Sequence, residues 1–398
     1  MIEWLARVEP ETPYLRLGER TWTYGETVLE VGRLSRPQPV AISPGRDPES
    51  VFRLLAGVSG GGAVMVPPGM EPAAPADLGG AVLVVYTSGT TGEPKGVRLT
   101  VDNLAAASAA SVDHLGHGPD DVWLAAMPLH HVGGISVLVR SAYAGGAVML
   151  QEGFDAARFA AALRGEATIA SVVPTMLHRL LDADSGPYRG LRAVLVGGGP
   201  IPDGLLERAV VSGLPVLPSY GMTETFGQVA TLRPGSVPAR RAHPLPGLEV
   251  RIEDDGRIAL RGAQVSPGYL GEPDRAGDWM VTNDLGRLDD EGALIVLGRA
   301  DTVIVTGGEN VDPVQVERRL AEHPGVEEAL VVGLPDREWG QVLACLYSGS
   351  AAAGELRTWL GERLPGHMIP KHWRSVGGIP RTALGKPDRE TAAAAFLA

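Results

Sequence analysis

Short apolar runs rich in β-branched residues alternate along this chain with alanine-rich stretches of helical period, and this alternation constrains its fold more than any other feature. Ala81–Tyr86, Ala147–Leu150, Ile169–Val173 and Ala193–Val196 read as strands. Asp102–Leu115, Ile135–Tyr143, Asp155–Leu163, Met176–Asp182 and Gly204–Ser212 read as helices. Strand–helix alternation predicts an α/β fold with parallel-rich sheets covered on both faces.

Near Leu245 the pattern changes. Leu248–Glu253, Arg257–Arg261, Gly286–Leu288 and Ala293–Leu297 are short strands split by Asp254-Asp255-Gly256 and Asp290-Glu291-Gly292, which are hairpin signals. They predict a small antiparallel β subdomain. A third region reads as strand (Thr302–Val305), helix (Val314–Glu322), two strands (Ala329–Gly333 and Val342–Tyr347) and helix (Ala352–Leu364), a compact α+β unit. Gly298-Arg299-Ala300-Asp301 is the candidate linker. At about 100–200 residues per domain, 398 residues suit two or three such units.

Charge and cysteine content remove several function classes. Lys+Arg 35 against Asp+Glu 47 gives a net charge of −12, which disfavours nucleic acid and anionic membrane surfaces as partners. The single cysteine, Cys345, lies in the apolar run Val342–Tyr347, so it reads as a buried thiol and excludes a disulfide framework or a cysteine-based zinc site. No apolar run reaches the ~18–20 residues of a membrane span. Met1-Ile2-Glu3-Trp4 has no basic n-region, so the expectation is a cytoplasmic protein.

The most specific segment is Tyr86-Thr87-Ser88-Gly89-Thr90-Thr91-Gly92-Glu93-Pro94-Lys95-Gly96, directly after an apolar strand. Glycines let successive backbone N–H groups turn toward an anion, hydroxyls add donors, and Lys95 would neutralise phosphate charge. The order is not that of a Walker A loop, because no Ser/Thr follows the lysine. Composition alone leaves a plain polar turn equally open.

The loop resembles the phosphate-loop signature of the adenylate-forming superfamily, which includes acyl-CoA synthetases, peptide-synthetase adenylation domains and luciferases. Further motifs follow in order. Ser219-Tyr220-Gly221-Met222-Thr223-Glu224-Thr225 resembles the adenine and magnesium motif. The resemblance implies that Tyr220 stacks on adenine, Thr223 binds phosphate and Glu224 holds Mg²⁺. Gly197-Gly198-Gly199-Pro200 resembles a second nucleotide-contacting loop. In Thr282-Asn283-Asp284-Leu285-Gly286, Asp284 would accept the ribose hydroxyls, with Asn283 standing where the family usually has glycine. Arg299 would reach ribose or phosphate, and Asp301 would be the pivot of a hinge. Pro380-Arg381-Thr382-Ala383-Leu384-Gly385-Lys386 resembles the segment carrying the adenylation lysine, which makes Lys386 the group bridging carboxylate and α-phosphate.

The resemblance implies a large N-terminal domain (1–298, with 245–298 its β subdomain), a hinge (299–301) and a small mobile α+β C-terminal domain (302–398). It also implies a reaction in two steps: a carboxylic acid and Mg·ATP give an acyl-adenylate, and a thiol then displaces AMP. Gly307 and Gly308 would line a channel for the pantetheine arm of coenzyme A after the domain rotates; from the residues themselves they make a turn. The chain ends soon after Lys386, which points to coenzyme A rather than a fused carrier, although a free-standing carrier thiol stays open. So does a homodimer.

Met127-Pro128-Leu129-His130-His131-Val132-Gly133-Gly134 leads into a helix that carries one charge, Arg140. A charge on an apolar face is costly unless paired. Arg140 therefore either meets a structural partner or binds an anionic group of the acid, and the helix alone does not choose. Peptide-synthetase adenylation domains usually carry an aspartate here for an α-amino group; this stretch has none, so the resemblance disfavours an amino-acid substrate. The stretch resembles that of o-succinylbenzoate–CoA ligases of menaquinone biosynthesis, whose substrate is a dicarboxylate. The resemblance implies Arg140 as counterpart of the second carboxylate, His131 as a gate, and Ser141, Thr175 and Gln228 as pocket neighbours. The alternatives are another aryl- or fatty-acyl-CoA ligase and a non-catalytic nucleotide- or carrier-binding protein.

Overall fold

The computed structural model describes residues 1–397 except 72, 74, 88–93, 185, 240, 276 and 382–386, and of Asp203 and Asn310 the backbone alone. A nine-stranded sheet runs in the order His243–Pro244, Gly227–Thr231, Val216–Met222, Ala193–Val196, Ile169–Val172, Val122–Ala125, Ala147–Leu150, Pro13–Leu17, Arg20–Thr23. Its centre, from Val216–Met222 to Pro13–Leu17, is parallel. Its margins are antiparallel. The short turn Thr223–Thr225 joins Val216–Met222 to Gly227–Thr231, and so tight a connection permits only an antiparallel pair. Every residue of Val122–Ala125, Ile169–Val172 and Ala193–Val196 is buried, as strands covered on both faces must be.

The second sheet, Gly268–Tyr269, Lys95–Leu99, Leu83–Thr87, Ala63–Met65, Val40–Ile42, is mixed. Leu248–Ile252, Arg257–Gly262, Met280–Leu288 and Leu294–Arg299 form a four-stranded antiparallel sheet. A fourth sheet pairs Glu309–Val311, Ile304–Thr306, Gly340–Ser348 and Glu328–Asp336, and His372–Ser375 adds in parallel on Gly340–Ser348. This sheet has its own core around Val316, Val331, Leu343, Cys345 and Leu356, and burial pushes the Cys345 thiol well above its ordinary range.

Local signals set the helix limits. Thr100 and Asn103 close a capping box at the start of Val101–Leu115, and left-handed Gly116 (φ 62°) ends it. Helix Pro174–Ala183 starts earlier than the spacing suggests, because Pro174 fills its first turn, where no N–H partner is needed. Ala300–Thr302 is a 3₁₀ turn, so the strand expected at Thr302–Val305 begins at Ile304 instead. No helix among the described residues is long and apolar enough to cross a membrane.

Candidate active site

Two strands frame the glycine-rich segment. Leu83–Thr87 and Lys95–Leu99 pair with Thr87 opposite Lys95, and Thr87 Oγ1 lies 3.5 Å from the Lys95 carbonyl oxygen. Ser88, Gly89, Thr90, Thr91 and Gly92 lie outside the described residues, as does Lys386. Lys95 Nζ sits 3.1 Å from Glu272 Oε1 and 5.0 Å from the Tyr269 ring centre, in a cleft of about 320 Å³ that both residues line. The Tyr269 hydroxyl donates to Glu224 Oε1 at 2.9 Å. Burial and the nearby Glu224 charge hold the Tyr269 phenol above its usual range, so it stays a donor. Neither Tyr269 nor Glu272 stands out in the sequence reading.

Thr223 and Glu224 sit in the turn at the end of Val216–Met222, the strand that carries Ser219, Tyr220, Gly221 and Met222. A side chain at Gly221 would place its Cβ 1.9 Å from the Gly227 carbonyl oxygen, so this close hairpin needs glycine there. The Tyr220 hydroxyl donates to Asp284 Oδ2 at 2.6 Å. Asp284 lies opposite Arg299 in the four-stranded antiparallel sheet, 3.4 Å from Nη1. Arg299 also grips Asp301 through Nε at 2.8 Å and Nη2 at 2.5 Å. Four predicted residues, Tyr220, Asp284, Arg299 and Asp301, thus form one chain of contacts. Burial and then Asp284 raise the Tyr220 phenol; the Asp301 hydrogen bond raises the Arg299 guanidinium. Gly198, Gly199 and Pro200 form an exposed loop after Ala193–Val196, beside the Val173–Pro174 helix start that carries exposed Thr175.

The acid-side candidates differ in character. His131 is the N-cap residue of helix Val132–Ala144, its ring 4.3 Å from that of His130. On that helix Arg140 is 3% exposed. Its Nη2 donates to the Phe226 carbonyl at 2.9 Å and its guanidinium lies 5.9 Å from the Phe226 ring centre. No carboxylate among the described residues pairs with it, and its Nε has no partner. Burial lowers the Arg140 pKa to about 9. Nearby His117 is pushed down to about 4 by burial and then by the charge of Arg140, so it is neutral near pH 7. Ser141 is buried beside Arg140. Gln228 accepts from Ser111 Oγ at 2.9 Å and donates to Thr231 Oγ1 at 3.0 Å, and Thr231 Oγ1 in turn contacts Ser219 Oγ at 2.8 Å. The Gln228 amide is therefore engaged with neighbouring hydroxyls.

In the C-terminal sheet, Gly307 (φ 59°) and Gly308 (φ 83°) form the two-residue turn between Ile304–Thr306 and Glu309–Val311. Left-handed backbone at both positions is what such a hairpin demands. The Gly307 N–H donates to the Trp339 carbonyl at 2.9 Å, beside a 290 Å³ cleft that Trp339, His367 and Lys371 help to line.

This fold and this site are those of an adenylate-forming enzyme. Residues 27–270 match the AMP-binding enzyme family and residues 315–386 match the AMP-binding enzyme C-terminal domain. The chain belongs to the AMP-binding enzyme family. It is 40% identical over 325 residues to a 2-succinylbenzoate–CoA ligase of Listeria monocytogenes serotype 4b (strain F2365), covering 79% of this chain and 70% of that protein. A protein of the same name from Bacillus mycoides (strain KBAB4) is 40% identical over 328 residues, 77% of this chain and 68% of that one. Among solved structures, o-succinylbenzoate CoA synthetase (MenE) from Bacillus subtilis in complex with the acyl-adenylate intermediate OSB-AMP superposes with a TM-score of 0.89 at 30% identity, covering 98% of this chain and 97% of that one. A double mutant of the same enzyme bound with its product analogue OSB-NCoA gives 0.69 at the same coverage. The parts of this chain are thus arranged more like the former.

Proposed function

We propose that this chain converts o-succinylbenzoate, ATP and coenzyme A to o-succinylbenzoyl-CoA, AMP and pyrophosphate, a step of menaquinone biosynthesis. The observation that carries the reading to this acid is Arg140, a buried guanidinium that no carboxylate of the described chain balances. A buried charge without a counter-charge is costly, and the second carboxylate of a dicarboxylic acid would supply one. The 40% identity to 2-succinylbenzoate–CoA ligases supports the same acid.

In the first step a carboxylate oxygen of the acid attacks the α-phosphorus of ATP, and the bond to the bridging oxygen breaks to release pyrophosphate. In the second, the thiol sulfur of coenzyme A attacks the acyl carbon, loses its proton, and AMP leaves. A carboxylate is a poor acylating agent because its oxygen leaves badly, whereas AMP leaves readily. Tyr220 would present its ring to adenine, and Asp284 with Arg299 would take the ribose. Lys95, the loop 87–92 and Thr223 would hold the phosphates. Lys386 would meet the charge that develops between carboxylate and α-phosphate. Gly198, Gly199 and Pro200 would border the nucleotide. His131, Ser141 and Thr175 would border the acid, with Gln228 holding the wall behind it. The turn Gly307–Gly308 would pass the pantetheine arm once the C-terminal region turns about Asp301.

Glu224 and Thr223 offer hard oxygen donors, and no cluster of three or more His, Cys, Asp or Glu side chains occurs among the described residues. That donor set suits Mg²⁺, which takes one or two protein oxygens and completes its shell with phosphates and water. When bound, the ion neutralises charge on the departing pyrophosphate.

The test is acid-dependent ATP–pyrophosphate exchange with o-succinylbenzoate, benzoates and fatty acids, followed by thioester formation with coenzyme A or a carrier protein. Exchange driven by o-succinylbenzoate is expected. Exchange with monocarboxylic acids alone would overturn the choice of acid, and none with any acid would point to a binding protein.

A further inference from the structure

We propose that Tyr269 is a positioning residue that holds the Glu224 carboxylate in place to receive the metal ion, an inference that rests on the reading of Glu224 given above. Tyr269 is well placed to do so. It lies opposite Val97 in a two-residue strand laid on Lys95–Leu99, and the next residue, Leu270, donates its N–H to the Gly96 carbonyl at 2.7 Å. The segment is also fixed from the Glu224 side. Ser266 N–H donates to the Glu224 carbonyl at 2.7 Å, and the buried Ser266 hydroxyl donates to the Arg98 carbonyl at 2.6 Å. One short stretch therefore grips both the exit strand of the glycine-rich loop and the turn that carries Glu224.

From that support the phenol reaches Glu224 Oε1 at 2.9 Å, and among the described residues no other side chain hydrogen-bonds this carboxylate. Occupying one oxygen restrains the rotamer and leaves Oε2 without a side-chain partner among the described residues. The ring of the same residue lies 5.0 Å from Lys95 Nζ. Tyr269 thus touches both the cation proposed for phosphate and the carboxylate proposed for metal. Removing an outer hydrogen bond of this kind typically costs about 10- to 100-fold in metal affinity.

The test uses the full chain with Tyr269→Phe, which keeps the ring and deletes only the donor. Mn²⁺ binding to the enzyme–ATP complex, followed by electron paramagnetic resonance, is expected to weaken about tenfold or more. ATP binding without metal, in chelator and followed by calorimetry, is expected to stay within about twofold, because Lys95 keeps its aromatic neighbour. Unchanged Mn²⁺ affinity would overturn the proposal. So would equal weakening of ATP with and without metal, which would place Tyr269 on the nucleotide instead. Glu224→Gln separates this from the underlying reading. If it leaves Mn²⁺ affinity intact, Glu224 is not the metal group. If it weakens Mn²⁺ while Tyr269→Phe does not, only the positioning role fails. With both correct, adding Tyr269→Phe to Glu224→Gln weakens Mn²⁺ no further.

Discussion

The proposed nucleotide side and the proposed acid side of the site are built in opposite ways. On the nucleotide side every described charge has a partner: Asp284 lies between Tyr220 and Arg299, Arg299 continues to Asp301, Glu224 takes the Tyr269 hydroxyl and Lys95 meets Glu272. On the acid side Arg140 stands buried on an apolar helix with a backbone carbonyl for company. Partnered groups are held in geometry before a ligand arrives, which suits a co-substrate common to a whole family. An unpartnered buried charge is costly alone and is relieved by one class of ligand, which suits selection of a particular acid.

The largest expected effect comes from the lysine proposed for the first step. Lys386→Ala should cut acid-dependent ATP–pyrophosphate exchange by about 10²- to 10³-fold, the usual worth of one group at a developing charge. Thioester formation from preformed acyl-adenylate should stay within a few-fold. Single-turnover rates of the two half-reactions check this, and equal loss of both would deny the lysine a role confined to the first step.

Arg140→Met tests the acid side itself. KM for o-succinylbenzoate should rise roughly 10- to 100-fold, corresponding to a charge-assisted contact of about 1.5–3 kcal/mol, while KM for ATP stays put. The variant should melt no earlier than the parent, because an apolar side chain replaces a charge without a counter-charge. A fall in melting temperature with KM unchanged would make Arg140 structural. The pH profile gives a second check. Burial lowers Arg140 to about 9, so its positive charge is present below that pH and lost above it. KM for the dicarboxylate should therefore climb above about pH 9, and that climb should vanish in Arg140→Met.

Motif-bearing residues are legible one segment at a time, because each motif is local. Tyr220, Asp284 and Arg299 are read from three separate stretches, and the fold joins them. Tyr269 and Glu272 escape such reading. Their relevance comes from pairing Gly268–Tyr269 with Lys95–Leu99, and Glu272 lies 177 residues from Lys95. No periodicity encodes that pairing; only the Pro-Gly turn ahead of an aromatic residue hints at a sheet edge. Arg140 shows the reverse: the sequence poses its two readings, and the fold supplies its burial and, among the described residues, no carboxylate partner. The first eighty residues go largely unread, although Thr23 with Glu26 and Asp47 with Pro48 are helix-start signals for Tyr24–Leu34 and Pro48–Ser59. The strands Val40–Ile42 and Ala63–Met65 are too short to show a period, whereas the two helices, 11 and 12 residues long, carry one and differ from the helices read downstream in holding almost no alanine.

Asp284→Asn should give a smaller effect, confined to the nucleotide side. An amide weakens both the 2.6 Å contact with Tyr220 and the pull on Arg299. KM for ATP should rise about tenfold, the scale of one charged hydrogen bond, with KM for the acid unmoved. Joint movement of both constants would show that the two sides are one coupled network.

The smallest effect should come from Glu272→Gln, and it has the opposite sign. Glu272 sits 3.1 Å from Lys95, where the phosphates of ATP would also place negative charge. Lys95 cannot satisfy both, so the glutamate competes with the co-substrate. Both side chains are well exposed, at 39% and 49%, so solvent screens the pair. Exposed pairs contribute about 0.2–1 kcal/mol, which bounds the gain at roughly 1.4- to fivefold. KM for ATP should fall by that factor at low salt, and the difference from the parent should shrink as ionic strength rises. A KM that rises instead would mean that Glu272 orients Lys95 toward the phosphates rather than occupying their place. Partnering on the nucleotide side would then be preparation throughout, with no element of competition in it.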